Sequence, residues 1–435
     1  MEKADELNKM KPQNLNDTSA CAPPDEKWHY AIFLCICCLW LCVGMNNASV
    51  AWTLKDIADS QLLDLRQEGV LASGFAMGYC LGPVTMGILL DKMGRRPTLL
   101  LCCIVPSVCQ AAAAYLVRVP VLAQPGSWPF TMALAYLRCC QAICSGGATV
   151  SSKVYLNEIM PIKCRDAMLS IVHIQLQLGG MALTVCALFW PKWQQLHAIL
   201  MVPGLVTTLL MLSPKLCPES LTLVPKGAHS RPFRELLQTP HRTVLLVLVL
   251  NQFFHRICQQ GNDAWGMKFL QTIGKRETRT VVSNVKFVCK ILGGLLAASA
   301  SKHLGTLAAV LGGCLAKTGY MTCAVGTLLF TMTQQKMSLA VAWGVAYLGE
   351  EVANVLAMTT LVQAFPMQLR GRGVSLVCAP NALAGIVAGS LGALSAYYAT
   401  VPFVVNAASM VISGLVLLHF SDLIYQKSQD GLKQD

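Results

Sequence analysis

Apolar runs of 18 or more residues return again and again along this chain, and that recurrence limits its fold more than any other feature. A helix needs about 20 such residues to cross roughly 30 Å of hydrocarbon. The runs fall near residues 29–51, 69–90, 98–118, 131–152, 168–190, 195–213, 243–265, 280–300, 305–330, 337–361, 374–397 and 401–420. Backbone amides find no water partner in lipid, so segments of this length predict helices rather than open strands. Composition agrees: 54% of the 435 residues are hydrophobic and 13% charged, against about 25% charged in a soluble domain. The expectation is an all-α membrane protein with twelve transmembrane helices.

Lys and Arg concentrate in the loops on the side of the amino terminus, which predicts that both termini are cytoplasmic. This loop bias accounts for most of the net charge of +12. With no basic soluble domain to carry it, no nucleic-acid partner is expected; the lipid bilayer is the expected surroundings. Most of the 20 cysteines, Cys35, Cys37, Cys38, Cys102, Cys103, Cys139 and Cys140 among them, lie inside the runs, where cysteine is a small packing residue. The first 27 residues lack the charged start and short apolar core of a cleaved signal. Asn16-Asp-Thr18 and Asn47-Ala-Ser49 fit the glycosylation pattern. The first is expected to be cytoplasmic, and the second sits too close to the first span for ready modification.

The chain carries its own duplicate. Glu158-x-x-Pro161-x-x-x-Arg165 follows the fourth run, and Gln363-x-x-Pro366-x-x-x-Arg370, with the same internal spacing, follows the tenth. Two six-helix halves in one orientation explain this offset, as in parallel-repeat transporters whose substrate site lies between the halves. The expected organisation is a tail at 1–28, a first bundle at 29–213, a linker at 214–242, a second bundle at 243–420 and a tail at 421–435. The linker holds Pro214, Pro218, Pro225, Pro232 and Pro240.

Between the second and third runs stands Gly87-Ile-Leu-Leu-Asp91-Lys92-Met-Gly94-Arg95-Arg96-Pro97. One acid and three bases packed into a short loop resemble the second-to-third-span loop of the major facilitator superfamily. The resemblance implies two pseudo-symmetric six-helix bundles that rock about a central site. Gly87 permits close helix approach, and Asp91 can pair with an arginine from a neighbouring loop while the inner face is closed. Gly94, Arg95, Arg96, Glu158, Arg165 and Arg370 complete the candidate inner gate. The plainer alternative is that these arginines anchor helix ends and set topology. In the second half Lys302, Thr306 and Gln363 replace Asp91, Arg95 and Glu158, so the gate is expected to be lopsided.

A finer resemblance rests on Trp190-Pro191-Lys-Trp193-Gln-Gln-Leu196-His, Pro203, Cys217-Pro218-Glu219-Ser220 and Phe233-Arg-Glu-Leu-Leu-Gln-Thr-Pro240. These stretches are similar to solute carrier family 22, the organic cation, anion and zwitterion transporters. Sugar transporters share the loop motifs. Departures are plain: about sixteen residues, Trp52 to Gln67, join the first two spans, where the family has a long cysteine-bearing loop. Gln259 and Gln260 stand where relatives often carry tyrosines, and His173 where a glutamine is typical. The eleventh run lacks the family's selecting charge, and such absences resemble the family's orphan members.

Ionisable residues inside spans cost about 2.5–3.5 kcal/mol each on insertion scales, so each implies a partner or a wet cavity. Lys290 resembles the eighth-span lysine of anion-preferring relatives, one turn displaced, and either faces substrate or is paired. Arg138 resembles a fourth-span arginine of the superfamily; a bond to a carbonyl or to Glu350 stands beside substrate contact. Glu350 and Glu351 lie 100° apart on a helix, so at most one faces the cavity. A carboxylate near Lys290 is either a proton carrier or half of a fixed ion pair. His173 is a satisfied polar residue or a proton relay, and Phe253, Phe254 and Trp265 line a site or pack helices. The candidate substrate residues are Arg138, His173, Gln259, Lys290 and Glu350.

No nucleotide-cradling loop, catalytic triad or metal cluster emerges, so neither an enzyme nor a cofactor is expected. The expected function is alternating-access transport of a small organic ion, anion ahead of cation, with or without a coupled ion or counter-substrate. The carrier is expected to be a monomer in the plasma membrane. Two alternatives stand beside it: a transporter-derived receptor or scaffold that moves no solute, and a sugar-type facilitator.

Overall fold

The computed structural model describes residues 26–120, 124–219, 241–273, 276–303, 336–363 and 403–416, with isolated positions among 321–329 and 373–401. Among the described residues there are nine long helices: α1 (Glu26–Gln61), α2 (Leu65–Met93), α3 (Arg95–Tyr115), α4 (Trp128–Ile159), α5 (Ile162–Phe189), α6 (Trp193–Leu212), α7 (His241–Ile273), α8 (Arg276–His303) and α9 (Lys336–Gln363). Phe403–Val416 is a further, shorter apolar helix. Most of the ninth run, 305–330, much of the eleventh and the expected linker from residue 220 to 240 lie outside the described residues.

Among the described residues, six segments are long and apolar enough to cross a membrane: His29–Val50, Arg66–Leu90, Arg95–Arg118, Ile171–Phe189, Trp193–Leu212 and Thr280–Ser299. The other three long helices, α4, α7 and α9, carry buried Arg138, His255 and the Glu350–Glu351 pair. Polarity in a helix of a membrane protein belongs on the protein side, which is where these groups lie. The chain is a multi-pass membrane protein.

Helices overrun the apolar segments at most ends. α1 continues through Lys55, Asp56 and Asp59 to Gln61, so the expected sixteen-residue connection shrinks to Leu62, Leu63 and Asp64. Asp64 begins α2 with a capping box: its carboxylate accepts from the Gln67 amide at 2.7 Å, and the Gln67 side chain accepts from the Asp64 amide at 2.9 Å. Gln67 also donates to the Gly126 carbonyl at 3.0 Å, tying this connection to the turn before α4. Satisfied backbone ends, not hydrophobicity, set these boundaries.

Within the first half, α2 packs along α4. A Cβ at Gly78 would meet the Cys139 carbonyl, and one at Gly82 the Ile143 carbonyl, so only glycine lets the backbones approach this closely. One buried cluster, with Trp40, Leu99, Tyr155 and Met211, fills the end of this half nearest the α2–α3 junction. Another, with Ile57, Phe130, Leu134 and Trp193, fills the opposite end. A third joins the halves, placing Met45, Trp52 and Leu183 against Val282, Trp343 and Tyr347. All 16 described cysteines are free thiols, most of them buried in these contacts.

Candidate substrate cavity and motif brace

The connection between α2 and α3 is a single residue. Gly94 is both the end of one helix and the start of the next, at φ 97°, a left-handed value that a side chain would strain. The reversal exposes the first amides of α3, and the Glu219 carboxylate caps them. Arg95 N–H donates to it at 2.6 Å and Arg96 N–H at 3.2 Å. A carboxylate at a helix N-terminus stabilises it by about 0.3–1 kcal/mol, more where partly buried.

The two arginine side chains then fan outward. Arg95 donates from Nη2 to Glu158 Oε1 at 2.9 Å and from Nε to both Glu158 oxygens, binding α3 to the end of α4. Arg96 donates from Nη2 to the Leu212 carbonyl at 2.6 Å, binding α3 to the end of α6. Tyr155 closes the ring by donating to the Pro218 carbonyl at 2.7 Å. Gly87 sits half-buried on α2. Every one of these bonds lies within the first half or between it and the start of the linker, at Pro218 and Glu219, so they brace the first half rather than reach across to the second. The side chains of Asp91 and Arg165, and Arg370 altogether, lie outside the described residues. Glu219, quoted in the sequence only as part of a Pro-Glu-Ser stretch, is the member of the brace that spacing did not reveal.

A cavity of about 210 Å³ opens between the halves, far above the ~10–15 Å³ that one water needs. Its wall is written in helical periods. α8 contributes Ser283, Lys286, Phe287 and Lys290; α7 contributes Arg256, Gln259 and Gln260. From the first half come Trp40, Asn47 and Trp52 of α1, Phe75 and Tyr79 of α2, Lys153 of α4, and His173 and Gln177 of α5. Asn47 therefore sits on an inner wall, where its glycosylation pattern cannot be modified.

Four basic side chains line this space: Lys153, Arg256, Lys286 and Lys290. Among the described residues, no aspartate or glutamate lines it. The Lys286 and Lys290 ammonium groups both lie over the Tyr347 ring, 4.6 and 4.8 Å from its centre. Lys290 also donates to Glu350 Oε1 at 2.9 Å. Lys153 lies 5.3 Å from the Trp40 ring centre and Arg256 5.7 Å from that of Tyr79. Arg256 donates from Nη1 to Gln259 Oε1, and its buried Nε has no hydrogen-bond partner. Neither Lys153 nor Arg256 has a carboxylate partner among the described residues.

The two adjacent acids point in different directions. Glu350 meets Lys290 within the second half, whereas Glu351 meets His173 Nδ1 at 3.0 Å across the boundary between halves. Gln177 holds the other Glu351 oxygen at 3.2 Å. Both acids are buried behind the wall, at 0% and 1% exposure.

Of the candidate substrate residues, His173, Gln259 and Lys290 line the cavity, and Arg138 and Glu350 do not. Arg138 is buried on α4 outside the cavity lining, donating to Thr53 Oγ1 at 2.9 Å rather than to Glu350. Phe253 and Phe254 pack edge to face at 5.4 Å, also outside the lining, and the Trp265 side chain lies outside the described residues. Three basic residues were missed. Lys153 lies beyond the apolar run and reads as a loop residue, although α4 carries it inward. Arg256 sits amid the polar face of α7. Lys286 stands four residues before Lys290, and that helical spacing was the available signal.

The family model described as the Major Facilitator Superfamily matches residues 32–321. A gentisate transporter of Corynebacterium glutamicum is 20% identical over 343 residues, covering 75% of this chain and 72% of that protein. The monosaccharide-sensing protein 1 of Arabidopsis thaliana is 26% identical over 202 residues, covering 45% of this chain and 26% of its own length. Among solved structures, the proton:xylose symporter XylE bound to 6-bromo-6-deoxy-D-glucose superposes with a TM-score of 0.74 at 15% identity, covering 91% and 96% of the two chains. Its partially occluded inward-open form from E. coli gives 0.71 at 14% identity, covering 90% and 99%.

Proposed function

The chain belongs to the Major Facilitator Superfamily, and we propose that it is an alternating-access carrier of small organic anions. One observation carries this reading: Lys153 from the first half and Arg256 from the second face a single cavity, and among the described residues no carboxylate makes an ion-pair contact with either. A buried cation without a counterion is costly, and a bound carboxylate or similar anion supplies the missing charge. Trp40, Trp52, Phe75, Tyr79 and Phe287 give the same cavity flat apolar walls, which suits an aromatic or other planar anion.

Two relationships add support. Gentisate, the solute named for the Corynebacterium glutamicum relative, is an aromatic carboxylate, and the stretches resembling solute carrier family 22 favour an organic ion over a sugar. On this reading Gln259, Gln260 and Asn354 orient the solute, and Arg138 holds helix packing instead of substrate. The brace around Arg95, Glu158 and Glu219 keeps the first half rigid while the halves rock, with Asp91, Arg165 and Arg370 at the inner gate. The loop charges favour cytoplasmic termini, and the family resemblance favours the plasma membrane and a monomer.

The test is uptake of labelled gentisate, xylose and tetraethylammonium into proteoliposomes. Gentisate uptake, lost in Arg256→Ala and Lys153→Ala protein that remains folded, is the expected result. Uptake of xylose or tetraethylammonium without gentisate overturns the anion reading. Silence across the panel from folded protein favours a receptor or scaffold that moves no solute.

A further inference from the structure

Between the two halves, the hydrogen bond from His173 to Glu351 is the ion pair among the described residues that joins an imidazole of one half to a carboxylate of the other. His173 and Gln177 are exposed to the cavity, whereas Glu351 lies directly behind them. A proton arriving through the cavity therefore reaches the pair through the imidazole, one hydrogen bond from the carboxylate. Imidazole and carboxylate this close titrate as one unit.

The surroundings tie this unit to whatever fills the cavity. Lys153 of α4 and Arg256 of α7 lie within electrostatic reach of His173, and Lys153 together with Lys290 of α8 within reach of Glu351. Glu350 of α9 holds Lys290 from the other side, Lys286 lies one turn from it, and the Trp40 ring of α1 packs 5.1 Å from the His173 ring. The cations that would receive an anion are thus the same ones that bear on the proton site. A negative charge placed among them favours a proton on the pair, and by reciprocity a proton on the pair favours the anion.

Resting on the anion reading above, we propose that the carrier is a proton–anion symporter and that the His173–Glu351 pair holds the coupled proton. The proton comes from bulk water, adds to the pair, and leaves on the opposite side when the halves have rocked and the anion has gone. A monoanion and one proton together add no net charge to the site. The loaded and the empty carrier then cross the membrane with the same charge, and the membrane potential exerts no net drive on the cycle.

Proteoliposomes loaded with buffer and given labelled gentisate outside provide the test. In the wild type, an acidic outer solution accelerates and concentrates gentisate, and a valinomycin-imposed potassium potential of either sign leaves the final accumulation unchanged. In detergent, calorimetry in buffers of different ionisation heat reports protons taken up with gentisate, approaching one per anion. Glu351→Gln lowers gradient-driven uptake about tenfold more than it lowers gentisate–gentisate exchange, because exchange needs no proton release. His173→Gln keeps a hydrogen-bond partner for Glu351 and shifts the pH profile of uptake more than the KM for gentisate. Uptake that follows the potential and ignores the pH gradient overturns the proposal, as does gentisate binding without proton uptake. Equal losses of driven uptake and exchange in Glu351→Gln, with no proton uptake in the wild type, overturn it too. Failure of gentisate to bind at all removes the anion reading itself, and the coupling with it, so the two failures are distinguishable.

Discussion

The α2–α3 junction and the central cavity both bring acids and bases together, but they do so to opposite ends. At the junction three charges are answered: Glu219 caps two amides, Arg95 meets Glu158, and Arg96 meets the last carbonyls of α6. In the cavity, bases outnumber acids among the described residues, and two bases make no ion-pair contact with a carboxylate. Satisfied charge holds a structure still, whereas unsatisfied charge waits for a ligand. The comparison teaches that these two regions differ in how completely their charges are paired; Arg138, buried outside the cavity and bonded to the Thr53 hydroxyl rather than to an acid, is the exception that packs helices.

Three substitutions put the contrast at risk. The largest effect is expected from Arg95→Ala, which leaves Glu158 without its guanidinium and costs about 3 kcal/mol of stability. Thermal unfolding in detergent should show it, with gentisate affinity little changed; the reverse pattern would mean the brace is part of the site. Arg256→Ala is expected to do the opposite, raising the gentisate Kd about 30-fold, or about 2 kcal/mol, with little loss of thermal stability. A destabilised protein of normal affinity would place Arg256 among the structural charges. The smallest change is expected for Tyr347→Leu, which removes the ring beneath Lys286 and Lys290 and weakens binding by about 0.5–1 kcal/mol. Titration calorimetry resolves such a difference, and no change at all would show that the ring merely packs.

The contrast also explains how much could be read in advance. The α2–α3 motif is contiguous, its residues lie within a few positions of one another, and its companion Glu158 repeats at a fixed offset as Gln363. Periodicity showed the helices, because lipid demands long apolar runs, but it missed their ends. α1 reaches Gln61 and α2 begins at Leu65 because a capping box, not hydrophobicity, decides the boundary. The cavity was only half legible. His173, Gln259 and Lys290 stood out as polar groups in apolar surroundings, yet the same argument pointed equally to Arg138, which bonds to Thr53 and is absent from the lining. Facing is a property of the packed bundle and not of the residue type. Lys153 was hidden by the opposite error: hydropathy ended the fourth span at residue 152, one position short of it.

The dipeptide Glu350–Glu351 has a consequence for how this protein can change over generations. One carboxylate serves the second half through Lys290, and its neighbour serves the first through His173 and Gln177. A single residue inserted or deleted in α9 between these acids and the start of the helix would turn them by about 100° relative to that start. Both bonds would be lost together, even though no charged residue had been replaced. Point substitutions along the exposed face of α9 are therefore the open route for drift, and length changes within it the closed one.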